Sequence, residues 1–167
     1  MVETQRFAGY LSVLRRRPDA RAVITGSEEY RNINGMVRFY QTRHGVLVAA
    51  EVMGLPRKEP PCEGTFFGFH IHSGNQCSGN ATDPFADAMM HYNPQDCPHP
   101  AHAGDLPPLL GNQGYAFQVL FTDRFSLREI IGKTIIIHDS ADDFTSQPGG
   151  NAGAKIACGE IRRQSFR

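Results

Sequence analysis

Residues 91 to 105 read HYNPQDCPHPAHAGD, a stretch that holds histidines at 91, 99 and 102 and an aspartate at 105. Three imidazole nitrogens and one carboxylate oxygen satisfy a tetrahedral zinc ion. A segment without regular structure gains order from such a clamp. The alternative is a solvated polar loop, but histidine is uncommon and three with an aspartate fall within 15 positions. This spacing predicts a zinc site at His91, His99, His102 and Asp105.

A second pair of histidines lies in the segment GFHIH, residues 68 to 72. Side chains two apart on a strand point to the same face at a separation of about 7 Å, so His70 and His72 can converge on one metal. Taken alone, the pair also fits two surface histidines. His138 closes an apolar run that starts at Thr134, and by itself it also fits a strand-end histidine held by a nearby carboxylate.

The rest of the sequence predicts an all-β domain. At 167 residues the chain suits a single core. Short stretches rich in valine, isoleucine and aromatic residues, bounded by Gly, Pro or Asn, predict strands. These strands are 20–25, 35–42, 45–52, 65–72, 113–122, 134–138 and 154–162. Residues 1–18 are predicted to be an N-terminal extension with a short helix that ends at Pro18, and residues 19–167 the domain.

Two regions of the chain lie outside this strand pattern. Residues 73–110 show almost no periodicity, and a long irregular segment in a compact domain is usually functional or disordered. Metal ligation explains such a segment. His44 precedes a glycine between two predicted strands and is interpreted as a turn residue outside the site.

The composition narrows the range of partners and leaves the compartment open. Lys plus Arg and Asp plus Glu both number 17, so the charge balance gives no indication of nucleic acid, and no apolar run has the length of a membrane helix. The N-terminus lacks a signal-peptide pattern, which predicts a cytoplasmic protein. Four cysteines favour disulfides in an exported domain, so an exported form stays open.

Five segments, in order, resemble the copper-zinc superoxide dismutases. They are GFHIH (68–72), HYNP (91–94), HAGDL (102–106), IIIHDSADD (135–143) and GGNAGAKIACGEI (149–161). The resemblance covers about residues 20 to 162. It implies an eight-stranded Greek-key β-barrel, an immunoglobulin-like sandwich, with two long metal-site loops. The implied reaction is dismutation of superoxide to oxygen and hydrogen peroxide.

The resemblance also implies a role for each site residue. Copper would be bound by His70, His72, His91 and His138. Zinc would be bound by His91, His99, His102 and Asp105, which makes His91 a bridging imidazolate. Asp142 would link His70 to His99, and Cys77 would form a disulfide with Cys158, with unpaired core cysteines as the alternative. Cys62 and Cys97 have no counterpart in the family pattern, so a second disulfide or two thiols stay open.

One position departs from the family pattern. Lys155 stands where the family places an arginine beside the copper. Both side chains attract an anion, but lysine lacks the rigid donor fork of arginine, so we expect a catalytic role for Lys155 with reduced activity. A copper- or zinc-binding protein with little dismutase turnover is the competing hypothesis. Superoxide is the expected partner, and a homodimer is left open.

Overall fold

The computed structural model describes residues 4–57, 59–60 and 65–164. The described residues form ten strands, two α-helices and a short 3-10 helix. In chain order the regular elements are α1 (Thr4–Arg15), β1 (Ala20–Gly26), β2 (Asn34–Gln41), β3 (Val46–Met53), β4 (Thr65–Phe67), β5 (Phe69–His72), the 3-10 helix Ala86–Ala88, β6 (Leu109–Gly111), β7 (Tyr115–Thr122), α2 (Leu127–Ile130), β8 (Thr134–His138), β9 (Lys155–Glu160) and β10 (Arg162–Arg163). The all-β class is confirmed.

One curled antiparallel sheet carries most of the fold. Its strands follow the order β5-β8-β9-β1-β2-β3-β7, with β10 paired to the start of β1, and β4 and β6 form a separate pair. Strand β1 shows why the sheet curls around a core: Ala20, Ala22 and Ile24 are fully buried, whereas the residues between them are exposed. The inward side chains of β2, β3 and β8 complete that core. The Greek-key order of the connections stays a prediction.

The strand predicted for residues 65–72 is divided in two at Gly68. Its first part, β4, pairs with β6, whereas its second part, β5, pairs with β8. A Cβ atom at Gly68 would lie 2.7 Å from the Cβ of Ala152 and 3.2 Å from that of His138. The chain can therefore cross from one sheet to the other only where a residue has no side chain, and this crossing sets the position of His70.

Two long loops leave the sheet at the same region and hold little regular structure. The first spans residues 73–108 and the second residues 139–154. A disulfide between Cys77 and Cys158, with 5.6 Å between the Cα atoms, ties the first loop to β9. The predicted irregular segment is therefore confirmed, although it ends in the short strand β6, which the sequence pattern did not reveal. The helix α2 was missed as well.

Helix α1 packs against the outer face of the sheet. Helix α1 ends at Arg15, close to the predicted end at Pro18. Tyr10 and Leu14 contact a small cluster that contains Tyr40 and Leu47, which are almost fully buried. The ring of Tyr10 lies 5.4 Å from that of Phe121, measured between centroids. Neither α1 nor any other helix of the described residues is long and apolar enough to cross a membrane.

Candidate metal centre

The structure brings together both predicted sets of metal ligands. The first group is His70, His72, His91 and His138, and the second is His91, His99, His102 and Asp105. Within each group the ligand atoms all lie within 4.8 Å of one another, and all seven residues are buried. His91 belongs to both groups. The candidate site is therefore two adjacent clusters that share one imidazole.

The first cluster is built by paired strands. Residues His70 and His72 lie in β5, which pairs with β8 so that His70 faces Ile136 and His72 faces Thr134. His138 is the last residue of β8, where the ladder to β9 shifts register. The Nε2 atoms of His72 and His138 are 3.3 Å apart. The His70 and His91 rings lie 4.0 Å apart at their centroids, so the four rings surround a common point.

The second cluster lies within the first long loop and is centred on Asp105. Its Oδ1 atom is 2.8 Å from Nδ1 of His91 and 3.2 Å from Nδ1 of His102. The Nδ1 atoms of His91 and His102 are 3.4 Å apart. Ligand atoms at the corners of a tetrahedron, each about 2.0 Å from zinc, are about 3.3 Å from one another. These separations therefore match a tetrahedral zinc site.

The tautomers of four rings are fixed by acceptors on the side away from the clusters. His72 Nδ1 donates to the carbonyl of Met89 at 2.8 Å, and His138 Nδ1 donates to the carbonyl of Gly153 at 3.1 Å. His70 Nε2 and His99 Nε2 donate to the two carboxylate oxygens of Asp142 at 2.7 and 2.9 Å. Since a neutral imidazole carries one proton, each ring then presents a lone pair to its cluster.

Lone pairs that face each other require a cation between them. His72 Nε2 and His138 Nε2 approach to 3.3 Å with no proton to share, because both rings donate elsewhere. His70 Nδ1 and His99 Nδ1 are buried without a hydrogen-bond partner. His99 Nδ1 lies 3.0 Å from Asp105 Oδ2, but this contact lacks hydrogen-bond geometry. The donor set therefore fits metal ions in both clusters.

The electrostatics of the site favour metal ligation over protonation. Burial lowers the pKa of His70 to about 2 and that of His138 to about 4, and neighbouring imidazoles act in the same direction. Burial also lowers the pKa of His72. Burial alone would raise the pKa of Asp105, but the hydrogen bond from His91 and the nearby histidines lower it. Neutral imidazoles and an ionised carboxylate are the forms that bind metals.

The comparisons with known proteins agree with this geometry. A family model described as copper/zinc superoxide dismutase matches residues 33–161. A superoxide dismutase [Cu-Zn] A from Xenopus laevis is 36% identical over 156 residues, which are 83% of this chain and 93% of the relative. Superoxide dismutase [Cu-Zn] 2 from Aquifex aeolicus is 33% identical over 143 residues, 77% of this chain and 78% of that one. The chain belongs to the copper/zinc superoxide dismutase family.

A solved member of the family supports the fold. The Cu/Zn superoxide dismutase from Brucella abortus aligns with 84% of this chain and 98% of its own, at a TM-score of 0.71 and 23% identity. At that identity the likeness concerns the fold alone. The family resemblance expected from the sequence motifs is confirmed by the family model and the relatives.

Asp142 and the cysteines occupy the places that the family resemblance implied. The carboxylate of Asp142 connects His70 to His99, as expected. The Cys77–Cys158 disulfide is present, so the alternative of unpaired core cysteines is wrong. Cys97 forms no disulfide with another cysteine of the described residues. Cys62 lies outside the described residues, so the prediction about its pairing stays open.

Lys155 lies beside the first cluster, and its ammonium group forms an ion pair with a carboxylate. It lines a cavity of about 410 Å³ together with His72, His91 and His138. Its Nζ atom donates to Oδ2 of Asp83 at 2.6 Å. The cation expected from the family pattern is thus near the site, and it is held in an ion pair that the sequence did not reveal.

The sequence did not predict two other side chains, which position the part of the first long loop that carries His99, His102 and Asp105. Arg124 donates through Nη1 to the carbonyls of Pro100, His102 and Asp105 at 3.0 to 3.3 Å. Gln147 makes two hydrogen bonds with the backbone of His99, at 2.9 Å to the nitrogen and 2.7 Å to the oxygen. Both residues come from distant segments, and no local pattern marks them.

Proposed function

We propose that the chain catalyses the dismutation of superoxide to oxygen and hydrogen peroxide at a copper and zinc centre. The observation that carries this proposal is the position of His91, whose Nδ1 faces the Asp105 cluster while the same ring belongs to the all-histidine cluster. A single imidazole between two cations can lose both protons and bridge them. Membership of the superoxide dismutase family supports the same reaction.

We propose copper for the all-histidine cluster and zinc for the cluster that contains the carboxylate. His70, His72, His91 and His138 are the proposed copper ligands, and His91, His99, His102 and Asp105 the proposed zinc ligands. Four nitrogens suit copper in either oxidation state, and three nitrogens with one oxygen suit a redox-inert zinc ion. The separations of about 3 Å around Asp105 support the zinc assignment.

The residues of this chain prepare the site for a small anion and for proton transfer. Copper held by His70, His72, His91 and His138 would supply an ion that alternates between two oxidation states, so that one superoxide could be oxidised and the next reduced. The carbonyls of Met89 and Gly153 hold the His72 and His138 rings in place through their Nδ1 protons. His91 is the proposed catalytic proton carrier: its Nδ1 faces the cluster around Asp105, so with a cation held there the proton would be carried on Nε2. Lys155 supplies positive charge at the cavity.

The proposal is tested by metal content and superoxide decay, measured on the same sample before and after copper loading. We expect about one copper and one zinc per chain and fast decay that requires copper. A His91→Ala variant should lose the copper-dependent decay, whereas His44→Ala, in the exposed turn between β2 and β3, should retain it. A protein that stays inactive after full copper loading would favour the competing hypothesis of a metal-binding protein without turnover.

We propose further that the protein is a homodimer, a prediction that the exposed side of β7 supports. Tyr115, Phe117 and Val119 are 41, 62 and 38% exposed on that side. Contiguous exposed apolar side chains often mark an interface between proteins. Sedimentation velocity should give twice the chain mass for the wild type and a monomer for Phe117→Lys. A monomeric wild type would contradict the proposal.

A further inference from the structure

The ammonium group of Lys155 has most of its hydrogen-bonding capacity occupied. Nζ lies 2.6 Å from Oδ2 of Asp83 and 3.2 Å from the carbonyl oxygen of Phe85. An ammonium group has three donors, so at most one is free. The Lys155 side chain is only 16% exposed, compared with 38% for Asp83. A charge in this environment is neutralised more effectively than one in an exposed ion pair.

The carboxylate of Asp83 is held in position by its own loop. Asn80 Oδ1 accepts from the backbone nitrogens of Thr82 and Asp83 at 2.9 and 3.0 Å, and Asp83 Oδ1 accepts from the nitrogen of Phe85 at 3.0 Å. Phe85 is buried beside Cys158. Because these hydrogen bonds fix the turn on both sides of Asp83, the loop holds the Asp83 carboxylate in position for its ion pair with Lys155.

The side chain of Lys155 lines two cavities, and its ion pair with Asp83 decides how far its ammonium group lies from each of them. One is the cavity of about 410 Å³ that is also lined by His72, His91 and His138. The other is lined by loop residues 79–82 and Pro84 next to Asp83, and by the acidic residues Glu28, Glu29 and Asp139. Among the described residues that line the first cavity, Lys155 is the only lysine or arginine. Any cationic attraction within that cavity therefore depends on this one ammonium group.

We propose that Asp83 is a positioning residue that sets how strongly the copper site attracts anions, by holding Lys155 Nζ on the loop side and neutralising its charge. The inference rests on the proposed function of the histidine cluster and extends it. Opposite charges about 3 Å apart cancel much of each other's field at the distance of the cavity. The chain therefore attracts superoxide less strongly than its Lys155 would allow.

Azide, a small monoanion, reports on this attraction in the copper-loaded protein. Asp83→Asn keeps the shape of the side chain and removes its charge, so azide should bind about threefold more tightly in a visible-absorption titration, the size expected when a partly exposed ion pair is released. Asp87→Asn is the matched control, since it removes the same charge from an exposed position of the same loop. Asp87→Asn should change the azide affinity by less than about half of the change expected for Asp83→Asn.

A double-variant cycle assigns the effect to Lys155. Lys155→Ala should weaken azide binding and flatten the dependence of superoxide decay on salt. In that background Asp83→Asn should raise the azide affinity less than it does in the wild type, because only the direct repulsion between Asp83 and the anion is then removed. Asp83→Glu should restore wild-type affinity. An Asp83→Asn variant with unchanged affinity, or with the same gain in the Lys155→Ala background, would overturn the inference.

A metal-independent measurement separates this inference from the proposed function. Acetic anhydride labelling of the metal-free protein, followed by mass spectrometry, reports how readily the Lys155 amine reacts. We expect Lys155 to be labelled at least threefold faster in Asp83→Asn than in the wild type, with Lys133 as the internal reference. Equal labelling would contradict the inference even if the copper protein is active. Faster labelling with no copper binding would instead contradict the proposed function alone.

Discussion

Asp142 joins the two histidine clusters through a single carboxylate. Its two oxygens accept hydrogen bonds from His70 and His99, and the side chain is almost fully buried. Asp142→Asn keeps the size but replaces one acceptor by a donor, so one of the two rings must lose its tautomer or its orientation. Loss of such an outer partner lowers metal affinity about 10- to 100-fold. Chelator competition, with the metals counted by mass spectrometry, should show this loss for Asp142→Asn.

The matched control for Asp142 is Asp87→Asn, which removes the same charge from an exposed residue far along the chain. It should leave the affinities for both metals unchanged. If Asp142→Asn retains metal as well as this control does, the carboxylate does not fix the rings.

His138 predicts how acid affects the metal-free protein. Burial lowers its pKa to about 4 in the folded state, against an ordinary value of 6.5. The unfolded chain therefore takes up the proton more readily between these two values, so the contribution is complete above about pH 6.5 and is lost as the pH falls towards 4. We expect the free energy of unfolding to fall by about 2 kcal/mol from this residue between pH 6.5 and 5. Urea unfolding at several pH values measures it.

Two variants provide the control for this pH effect, through the slope of the free energy of unfolding against pH. His138→Gln should show a shallower pH dependence than the wild type, whereas His44→Gln, in an exposed turn, should match the wild type. Equal slopes for all three proteins would show that His138 does not carry the effect.

At the residue scale, the sequence predicted which histidines cluster with one another and with Asp105 better than it predicted the side chains that position them. The histidines and Asp105 were identified because few other residue types bind these metals, and because the family motifs place them in order. Asp83, Arg124 and Gln147 gave no such signal. Each acts through a contact with a segment 19 or more positions away, for example 72 positions between Asp83 and Lys155. Common polar residues in irregular loops carry no pattern that predicts such contacts.

At the scale of elements, the disulfide connects the first long loop to β9. Cys77 and Cys158 are 81 positions apart, and closing a loop of that length in the unfolded chain is worth about 4 kcal/mol in the entropic model. We expect the double variant Cys77→Ala/Cys158→Ala to lose about this much stability in urea unfolding. Cys97→Ala, which removes a cysteine that pairs with no other described cysteine, should change stability by less than about 0.5 kcal/mol. A double variant that loses less than about 1 kcal/mol would contradict the prediction.

Helix α1 offers a second test at this scale, through two leucines of the same helix. Leu14 packs against the cluster with Tyr40 and Leu47, whereas Leu11 is 67% exposed. Leu14→Ala should lower the free energy of unfolding by about 1 to 2 kcal/mol, since the side chain is half-buried. Leu11→Ala should change it by less than about 0.5 kcal/mol. Equal effects in thermal unfolding would mean that α1 does not stabilise the sheet through this face.

The strands that the sequence predicted correctly are those with strong patterns. Strands β1, β2, β3, β7, β8 and β9 have runs of valine, isoleucine and aromatic residues bounded by turn residues. The break at Gly68 was not predicted, because a glycine inside an apolar run does not tell which sheet each half will join. Strand β6 has only three residues, and its pairing with β4 depends on the rest of the fold.

At the scale of the whole molecule, the equal numbers of acidic and basic residues decide how an anion can be attracted to the site. The net charge is zero, so attraction of an anion must be local, and the cavity beside the first cluster has one lysine that Asp83 restrains. The cytoplasmic location stays a prediction.

The two parts of the molecule should respond differently when the metals are removed. The sheet is held by a continuous apolar core, whereas residues 73–108 and 139–154 have little regular structure and meet at the two histidine clusters. Removing the cations leaves lone pairs facing each other across about 3.3 Å, and we expect the loops to relax because this repulsion opposes the hydrogen bonds that position the rings. Local opening of a loop needs far less free energy than opening of core strands.

Hydrogen exchange followed by mass spectrometry should show at least about tenfold faster exchange in both loops of the metal-free protein, while β1, β2 and β3 exchange as before. The exposed turn at residues 42–45 is the internal control, because it contacts neither cluster and should exchange equally fast in both forms. Faster exchange throughout the sheet would mean that the metals stabilise the whole fold, and unchanged loops would mean that the hydrogen bonds of Arg124, Gln147 and Asp142 suffice to hold the site without them.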